Sequence, residues 1–302
     1  MNDLPTTPRL TAHDFDQELL IFFDAYVHGG IDRRGFLDRA QKFAVGGMTA
    51  AGLLAALSPN FAAAQVVPKD DKRIKTETVK VASPDGYGTI NVYVAKPADA
   101  KAKLPGILVV HENRGLNPHM EDIARRLAID GFLVFAPDAL TPLGGYPGDE
   151  DKAREAFAKL DQNKTRPDFL AAAAALKAHP DCTGRIGTVG FCYGGGMAHF
   201  LATQLPDLAA AVPFYGNHPA ADDAAKVKAP LLIHFAGVDE RINAAWPAYE
   251  TALKAAGVRY TAHTYVGTQH GFNNDTTPRF DASAAKQAWD RTMAFFNHNL
   301  KA

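Results

Sequence analysis

A cysteine stands in a sharp, glycine-rich turn in the second half of the chain. The stretch 185–196 reads RIGTVGFCYGGG, in which an apolar β-type run leads into Gly190-Phe191-Cys192-Tyr193-Gly194. The next residues, 197–205, have the character of a helix. A strand, a tight turn and a helix in this order raise the central side chain above the sheet, and glycine lets the two backbones approach closely. We therefore predict that Cys192 is a nucleophile, although a lone cysteine is also often a small buried apolar residue.

Two later residues provide the groups that a thiol nucleophile needs. A reactive cysteine requires a base, and the base requires an orienting group. Asp239 follows the apolar run 231–235, and His270 follows the run 261–266 in a loop flanked by glycines. Both fall at the C-terminal ends of predicted strands, on the side where doubly wound sheets bind their ligands. The order Cys192, Asp239, His270 predicts a catalytic triad.

The loop after the first buried strand adds further candidates. It reads His111-Glu112-Asn113-Arg114-Gly115. In a sheet of this kind, that loop supplies one backbone N–H of an oxyanion hole, and the residue after the nucleophile supplies the other. These would be the amides of Asn113 and Tyr193. Glu112 would then lie close to Cys192; the alternative is a loop salt bridge between Glu112 and Arg114, which contributes little if exposed.

Other titratable residues fit this pattern less well. Glu240 could replace Asp239, but the turn geometry favours Asp239. Cys182 stands at the far end of the strand that leads to Cys192, and a separation of roughly 25–30 Å, at about 3.3 Å per residue, excludes a disulfide. Three histidines are predicted to be structural: His199, His234 and His263.

Length and composition narrow the class of protein. The chain has 302 residues, of which 47% are hydrophobic and 22% charged, as in an ordinary globular protein. The formal net charge is -1 and lysine and arginine form only short clusters, so a nucleic-acid partner is not expected. With two cysteines and no Cys/His spacing typical of zinc, we expect neither a metal nor another cofactor. A monomer and a dimer both remain open.

From Lys75 onward, short β-type segments alternate with helical ones. The predicted strands are 76–81, 89–95, 106–110, 132–135, 186–189, 209–214, 231–235 and 261–266, and the predicted helices are 120–130, 151–160, 167–178, 244–256 and 282–299. Such alternation predicts an α/β protein with a mostly parallel, doubly wound sheet and helices on both faces. The two leading strands are joined by a turn and could form an antiparallel edge.

The N-terminal residues have a different pattern. Residues 11–26 have the apolar spacing of a helix, which Asp14 could cap. The pair Arg33-Arg34 is followed by Gly-Phe-Leu, which resembles a twin-arginine export motif. This pair could instead be incidental within a helical region that packs on the main domain.

The segment behind the arginine pair keeps both interpretations open. Residues 43–57 are uncharged and mildly apolar, but too short to span a membrane comfortably, so stable membrane insertion is not expected. Three alanines at 62–64 offer a cleavage site. Residues 1–64 are therefore either a twin-arginine-type leader of a periplasmic protein or a structured helical extension of a cytoplasmic one. The main domain is predicted at 65–302.

From about Thr76 to the C-terminus, these motifs together resemble the dienelactone hydrolase family, the carboxymethylenebutenolidases. The resemblance is carried by Gly-Phe-Cys192-Tyr-Gly-Gly-Gly, the Asp239 loop and His270-Gly-Phe, in the family's order and spacing. It implies the α/β-hydrolase fold and hydrolysis of a lactone or carboxylic ester through a thioester on Cys192, without a cofactor. It also implies that Glu112 holds the resting thiol. The alternatives are a general esterase or thioesterase and, from another class, a non-enzymatic redox-sensing thiol protein.

The resemblance also bears on the small-molecule substrate. Relatives that act on carboxylated lactones hold the carboxylate with arginines after the Pro-Asp strand end and after the catalytic histidine. Here neither Pro137-Asp138 nor His270 is closely followed by arginine, which leaves Arg279 and Arg114 as candidates. We therefore expect neutral or aromatic esters and lactones to be the better substrates. Aromatic residues that could line a less polar pocket are Tyr146, Phe214, Tyr215, Trp246 and Phe272.

Overall fold

An eight-stranded sheet forms the centre of the protein in a computed structural model that describes residues 9–301. The strands are β1 (Ile74–Ser83), β2 (Gly88–Pro97), β3 (Leu104–Val110), β4 (Leu133–Pro137), β5 (Cys182–Phe191), β6 (Ala210–Phe214), β7 (Leu231–Val238) and β8 (Tyr260–Gln269). Across the sheet they run in the order β1-β2-β4-β3-β5-β6-β7-β8.

The sheet changes from antiparallel to parallel at β4. β1 pairs antiparallel with β2, and β2 pairs antiparallel with β4, whereas the neighbours from β4 to β8 pair in parallel. The predicted mostly parallel sheet with an antiparallel edge is confirmed. Because parallel strands point the same way, β3, β5, β7 and β8 end at one edge, and the loops that follow them meet there.

Helices cover both faces of this sheet. They are α1 (Gln17–Val27), α2 (Arg33–Ala40), α3 (Ala50–Leu57), α4 (Phe61–Ala64), α5 (Pro118–Ile129), α6 (Glu150–Phe157), α7 (Gln162–Ala178), α8 (Tyr193–Gln204), α9 (Glu240–Asn243), α10 (Trp246–Ala255) and α11 (Ala282–Leu300). One apolar core lies under α7, α8 and α10, and another lies under α5 and α11. The doubly wound arrangement follows, since each face of the sheet buries its own set of aliphatic and aromatic side chains.

Two predicted helix starts were wrong because nearby aspartates cap the helices elsewhere. α7 begins at Gln162 rather than at Pro167, and the Asp161 carboxylate accepts a hydrogen bond from the amide of Asn163 at 2.9 Å. α1 begins after Asp16, whose carboxylate caps it, while Asp14 belongs to a preceding 3₁₀ turn. Aspartate at the N-cap satisfies an amide that the helix leaves free, so the cap sets the boundary.

The residues before β1 fold as a small helical layer with its own core. Helices α1 to α3 bury apolar side chains against one another, led by Phe36 and Leu57 at 0% exposure. The layer also bonds to the main domain, as when the amide of Asn60 donates to the carbonyl of Thr276 at 2.8 Å. Among residues 9–301, no helix is both long and apolar enough to cross a membrane.

Helix α8 crosses β3 at very close range. A Cβ atom placed on Gly194 would lie 2.2 Å from the Val110 carbonyl oxygen, far inside van der Waals contact. Two residues later, a Cβ atom on Gly196 would lie 3.4 Å from the Asn217 carbonyl oxygen, which is an ordinary van der Waals contact. The close approach at Gly194 therefore fixes how α8 sits over the strand ends.

We expect Gly194→Ala to destabilise the protein and Gly196→Ala to be neutral or stabilising. Within helices alanine is more stable than glycine by up to about 1 kcal/mol, so each substitution alone would stabilise α8. The clash at Gly194 makes that substitution destabilising instead. Overpacking of this kind costs about 1–3 kcal/mol. Thermal and denaturant unfolding of the two variants would measure the difference. Equal stability of both variants would contradict the close approach.

Candidate active site

Cys192 occupies the turn between β5 and α8 in a strained conformation. Its φ is 56° and its ψ is -113°, a region that residues other than glycine rarely adopt. The backbone amide of Cys192 donates to the Phe214 carbonyl at 3.1 Å and holds the turn in place. A Cβ on Gly190 would lie 1.9 Å from the Gly194 carbonyl oxygen, so the flanking glycines are sterically required.

The structure brings His270 and Asp239 together at the same sheet edge. His270 follows β8, Asp239 follows β7, and the His270 Nδ1 atom lies 2.6 Å from the Asp239 Oδ2 atom. Both side chains are buried. A nitrogen of the His270 ring lies within 4.8 Å of the Cys192 sulfur. A buried imidazole with one nitrogen on a carboxylate and the other near a thiol can accept the thiol's proton.

A cavity of about 310 Å³ opens in front of the cysteine. Its lining includes Asn113, Tyr193 and Tyr215 as well as Cys192 and His270. Neither of the two backbone amides predicted for the oxyanion hole, those of Asn113 and Tyr193, donates to another group of the described residues. Both residues line the cavity, and their amides have no other acceptor in the described part of the chain.

A histidine that the sequence did not point to reaches the same sulfur. His28 ends α1, and its Nε2 atom lies 3.3 Å from the Cys192 Sγ atom. The His28 ring meets the His270 ring edge to face at 4.7 Å between centroids. No motif surrounds His28 beyond the Gly29-Gly30 that ends the helix, and its distance of 164 residues from Cys192 is closed only by folding.

The two histidines change the acidity of the buried thiol. Burial raises the pKa of Cys192, but His28 and His270 more than offset burial and lower it from 9.0 to about 6. Burial lowers the pKa of His270, but Cys192 and Asp239 outweigh burial and raise it to about 10. These opposite shifts have one cause, because a thiolate and an imidazolium stabilise each other in a site of low polarity.

The loop residues Glu112 and Arg114 turn to a second cavity, of about 390 Å³, next to the first. A Glu112 carboxylate oxygen accepts a hydrogen bond from the Asn274 side-chain amide at 2.9 Å. Arg114 pairs with Glu150 at 3.6 Å, so the alternative of a Glu112–Arg114 salt bridge is wrong. Asn113 lines both cavities, which makes the second one a neighbouring part of the site.

The remaining predicted contacts divide between lining and packing. Tyr146 and Arg279 line the second cavity, and Tyr215 lines the first with its ring 4.9 Å from that of His270. Phe272 is fully buried with its ring 4.9 Å from that of Tyr265, so its expected place in the pocket wall is wrong. An aromatic residue directly after the catalytic loop fills the core instead. Phe214 is fully buried as well, and Trp246 is partly buried with its ring 5.0 Å from that of Phe235.

The sulfur and the two histidines also raise the question of a metal. Their ligand atoms lie within 4.8 Å of one another, although the three residues are far apart in the sequence. A thiolate and imidazoles are ligands of zinc. However, the Arg241 Nη2 atom lies 3.2 Å from the Nε2 atom of His28, the nitrogen that would have to bind. A guanidinium at that place opposes a cation, and we assign the three side chains to thiol chemistry.

Fold and site together define the class of this protein. The strand order, the strained turn at the end of β5 and the acid and histidine after β7 and β8 belong to the α/β-hydrolases. The sequence profile of the dienelactone hydrolase family matches residues 90–300, and the chain belongs to that family of hydrolases. A second profile, described as YqhI-like, matches residues 7–45, the segment that contains His28.

Several known proteins are similar to this chain. The "Putative carboxymethylenebutenolidase" of Methylorubrum extorquens is 30% identical over 263 residues, which cover 82% of this chain and 89% of that protein. The "Putative hydrolase fragment YghX" of Escherichia coli K12 is 47% identical over 114 residues, which cover 38% of this chain and 97% of that protein. The crystal structure of "Putative Dienelactone Hydrolase" from Klebsiella pneumoniae superimposes with a TM-score of 0.66 at 26% identity and covers 74% and 98% of the two chains.

We expect iodoacetamide to label Cys192 near pH 7 much faster than Cys182. The pKa of Cys192 is lowered to about 6, so its thiolate forms as the pH rises through that value. Burial raises the pKa of the Cys182 thiol, which therefore stays protonated. Mass spectrometry of labelled peptides between pH 5 and 9 would check this, with Cys182 as the internal control. Equal labelling of the two thiols at pH 7 would contradict the paired thiolate.

Proposed function

We propose that this chain hydrolyses carboxylic esters or lactones with Cys192 as the nucleophile. The observation that carries the proposal is a strained cysteine beside the His270–Asp239 pair at the wall of an open cavity. Membership of a hydrolase family agrees with it. General esterase or thioesterase activity would use the same groups and differ only in substrate.

The first half of the reaction forms a thioester. The Cys192 thiol gives its proton to an adjacent imidazole, and in the predicted triad that imidazole is His270. The thiolate then attacks the carbonyl carbon of the substrate. The negative charge that develops on the carbonyl oxygen is stabilised by the amides of Asn113 and Tyr193. When this intermediate collapses, the C–O bond to the leaving group breaks and the leaving oxygen takes the proton from the imidazolium.

The second half of the reaction returns the enzyme to its starting state. His270, oriented by Asp239, takes a proton from a water molecule, whose oxygen attacks the thioester carbonyl carbon. Collapse breaks the C–S bond, and the thiolate recovers the proton. Glu112 takes no step in this scheme, because its contact in the structure is the side chain of Asn274.

We expect Cys192→Ala to abolish ester and lactone hydrolysis and to leave the thermal stability close to that of the wild type. His270→Ala and Asp239→Asn should each reduce turnover by about 10²–10⁴-fold, since each removes or misorients the base. Rates on a panel of esters and lactones, with and without a chelator, would measure this. Activity that survives in Cys192→Ala would overturn the proposal. Reversible oxidation of Cys192 in a wild-type protein without any turnover would favour a redox-sensing thiol protein instead.

The charges around the second cavity bear on substrate choice. Three arginines line it, and each is already paired: Arg33 with Asp151 at 2.8 Å, Arg114 with Glu150 at 3.6 Å and Arg279 with Asp24 at 3.4 Å. A paired guanidinium has less to offer an anionic substrate than a free one. Four carboxylate side chains line the same cavity: Glu112, Asp149, Glu150 and Asp151. We therefore propose that the site favours neutral substrates over carboxylated ones.

We expect kcat/KM for a neutral ester such as p-nitrophenyl acetate to exceed that for a carboxylated dienelactone. The reason is that each of the three arginines lining the second cavity already pairs with a carboxylate, and the four acidic side chains there repel an anionic substrate. Steady-state kinetics on both substrates would measure the ratio. A preference for the dienelactone of about tenfold or more, lost in Arg279→Ala or Arg114→Ala, would show that one of these arginines leaves its partner to bind substrate.

A further inference from the structure

We propose that His28, carried by the N-terminal helical layer, is a second catalytic histidine that takes the proton of Cys192. The inference rests on the proposed cysteine mechanism and refines its first step. The His28 Nε2 atom is the ring nitrogen placed 3.3 Å from the sulfur. A ring nitrogen of His270 lies within 4.8 Å of the same sulfur.

His28 has the same kind of support that His270 has. Its second ring nitrogen, Nδ1, lies 2.8 Å from the Asp24 carbonyl oxygen and 3.2 Å from the Asp24 carboxylate. A carboxylate on the far nitrogen fixes the tautomer of an imidazole and stabilises its protonated form. The sulfur of Cys192 is thus flanked by two histidine–aspartate pairs, one from the N-terminal layer and one from the main domain.

The end of α1 also favours a cation at His28. His28 is the C-cap of α1, where the last carbonyl oxygens of a helix carry partial negative charge. The main domain holds this helix end in place. The Val27 carbonyl accepts from the Asn113 side chain at 2.9 Å and from Arg114 at 3.2 Å, and the Tyr26 carbonyl accepts from Arg154 at 3.0 Å.

The charged groups around His28 act in both directions. Asp24 and the Cys192 thiolate favour its protonated form, whereas His270, when protonated, and Arg241 oppose it. Burial also opposes the charge, but the pKa of His28 is raised on balance, with Cys192 the largest favourable contribution. The proton of the thiol can therefore reside on His28 while the thiolate remains beside it.

Two histidines allow the two halves of the reaction to use different bases. His28 takes the proton from the sulfur, the thiolate forms its bond to the carbonyl carbon, and the expelled alkoxide leaves with the proton of His28. Once the thioester has formed, the thiolate that favours a protonated His270 is gone, and His270 in its neutral form takes a proton from water. The C–S bond breaks, the thiolate takes that proton back from His270, and the products are one acid and one alcohol.

The test is the pH dependence of Cys192 alkylation, a measurement that needs no turnover. In His28→Gln we expect the inflection to move upward by about one pH unit or more, a tenfold loss of thiolate below the inflection. We also expect kcat/KM to fall by about 10²-fold. His13→Gln is the matched control, since His13 is exposed in the same helical layer and should change neither value.

Further variants separate a chemical role from a structural one. Asp24→Asn leaves the imidazole in place and should shift the inflection in the same direction by a smaller amount. In His28→Ala, added imidazole should restore part of the activity. An unshifted alkylation profile in both His28→Gln and Asp24→Asn would overturn the proposed role of His28 and leave the cysteine mechanism standing. Hydrolysis retained in Cys192→Ala would overturn the cysteine mechanism itself.

Discussion

The proposed chemistry depends on keeping a negative charge on a buried sulfur. Burial alone opposes the thiolate of Cys192, because a charge that leaves water loses its solvation. Positive charge must therefore come from groups fixed within a few ångströms, and His28 and His270 occupy that place. Each histidine is in turn held by an aspartate. Two histidines and two aspartates therefore surround the sulfur and can stabilise its charge.

This requirement links the N-terminal layer to the main domain. A terminal segment could be expected to pack loosely, yet the end of α1 is held by hydrogen bonds from Asn113, Arg114 and Arg154. Two of these residues belong to the loop after β3, the same loop from which we propose that an oxyanion amide comes. The layer and the loop after β3 therefore hold each other in place beside the cavity in front of Cys192.

Much of the main domain could be predicted from local patterns. The Gly-x-Cys-x-Gly turn, the apolar strands and the order of Cys192, Asp239 and His270 each have a short-range physical cause, in sterics or in the direction of parallel strands. Errors arose where a distant or competing contact decided the outcome. Asp161 caps α7 earlier than the predicted start, and Phe272 is buried in the core, whereas the sequence had predicted it in a pocket wall.

By itself, the sequence determined the sheet, the strained turn and the strand ends that carry Asp239 and His270. Only the tertiary structure decided that His28 approaches Cys192, that Arg114 pairs with Glu150 and that Glu112 bonds to Asn274. The reason is that these contacts join residues far apart in the chain through side chains on irregular loops and a helix end. The periodicity of a strand or helix carries no information about such long-range contacts, and only the packing of the folded chain fixes them.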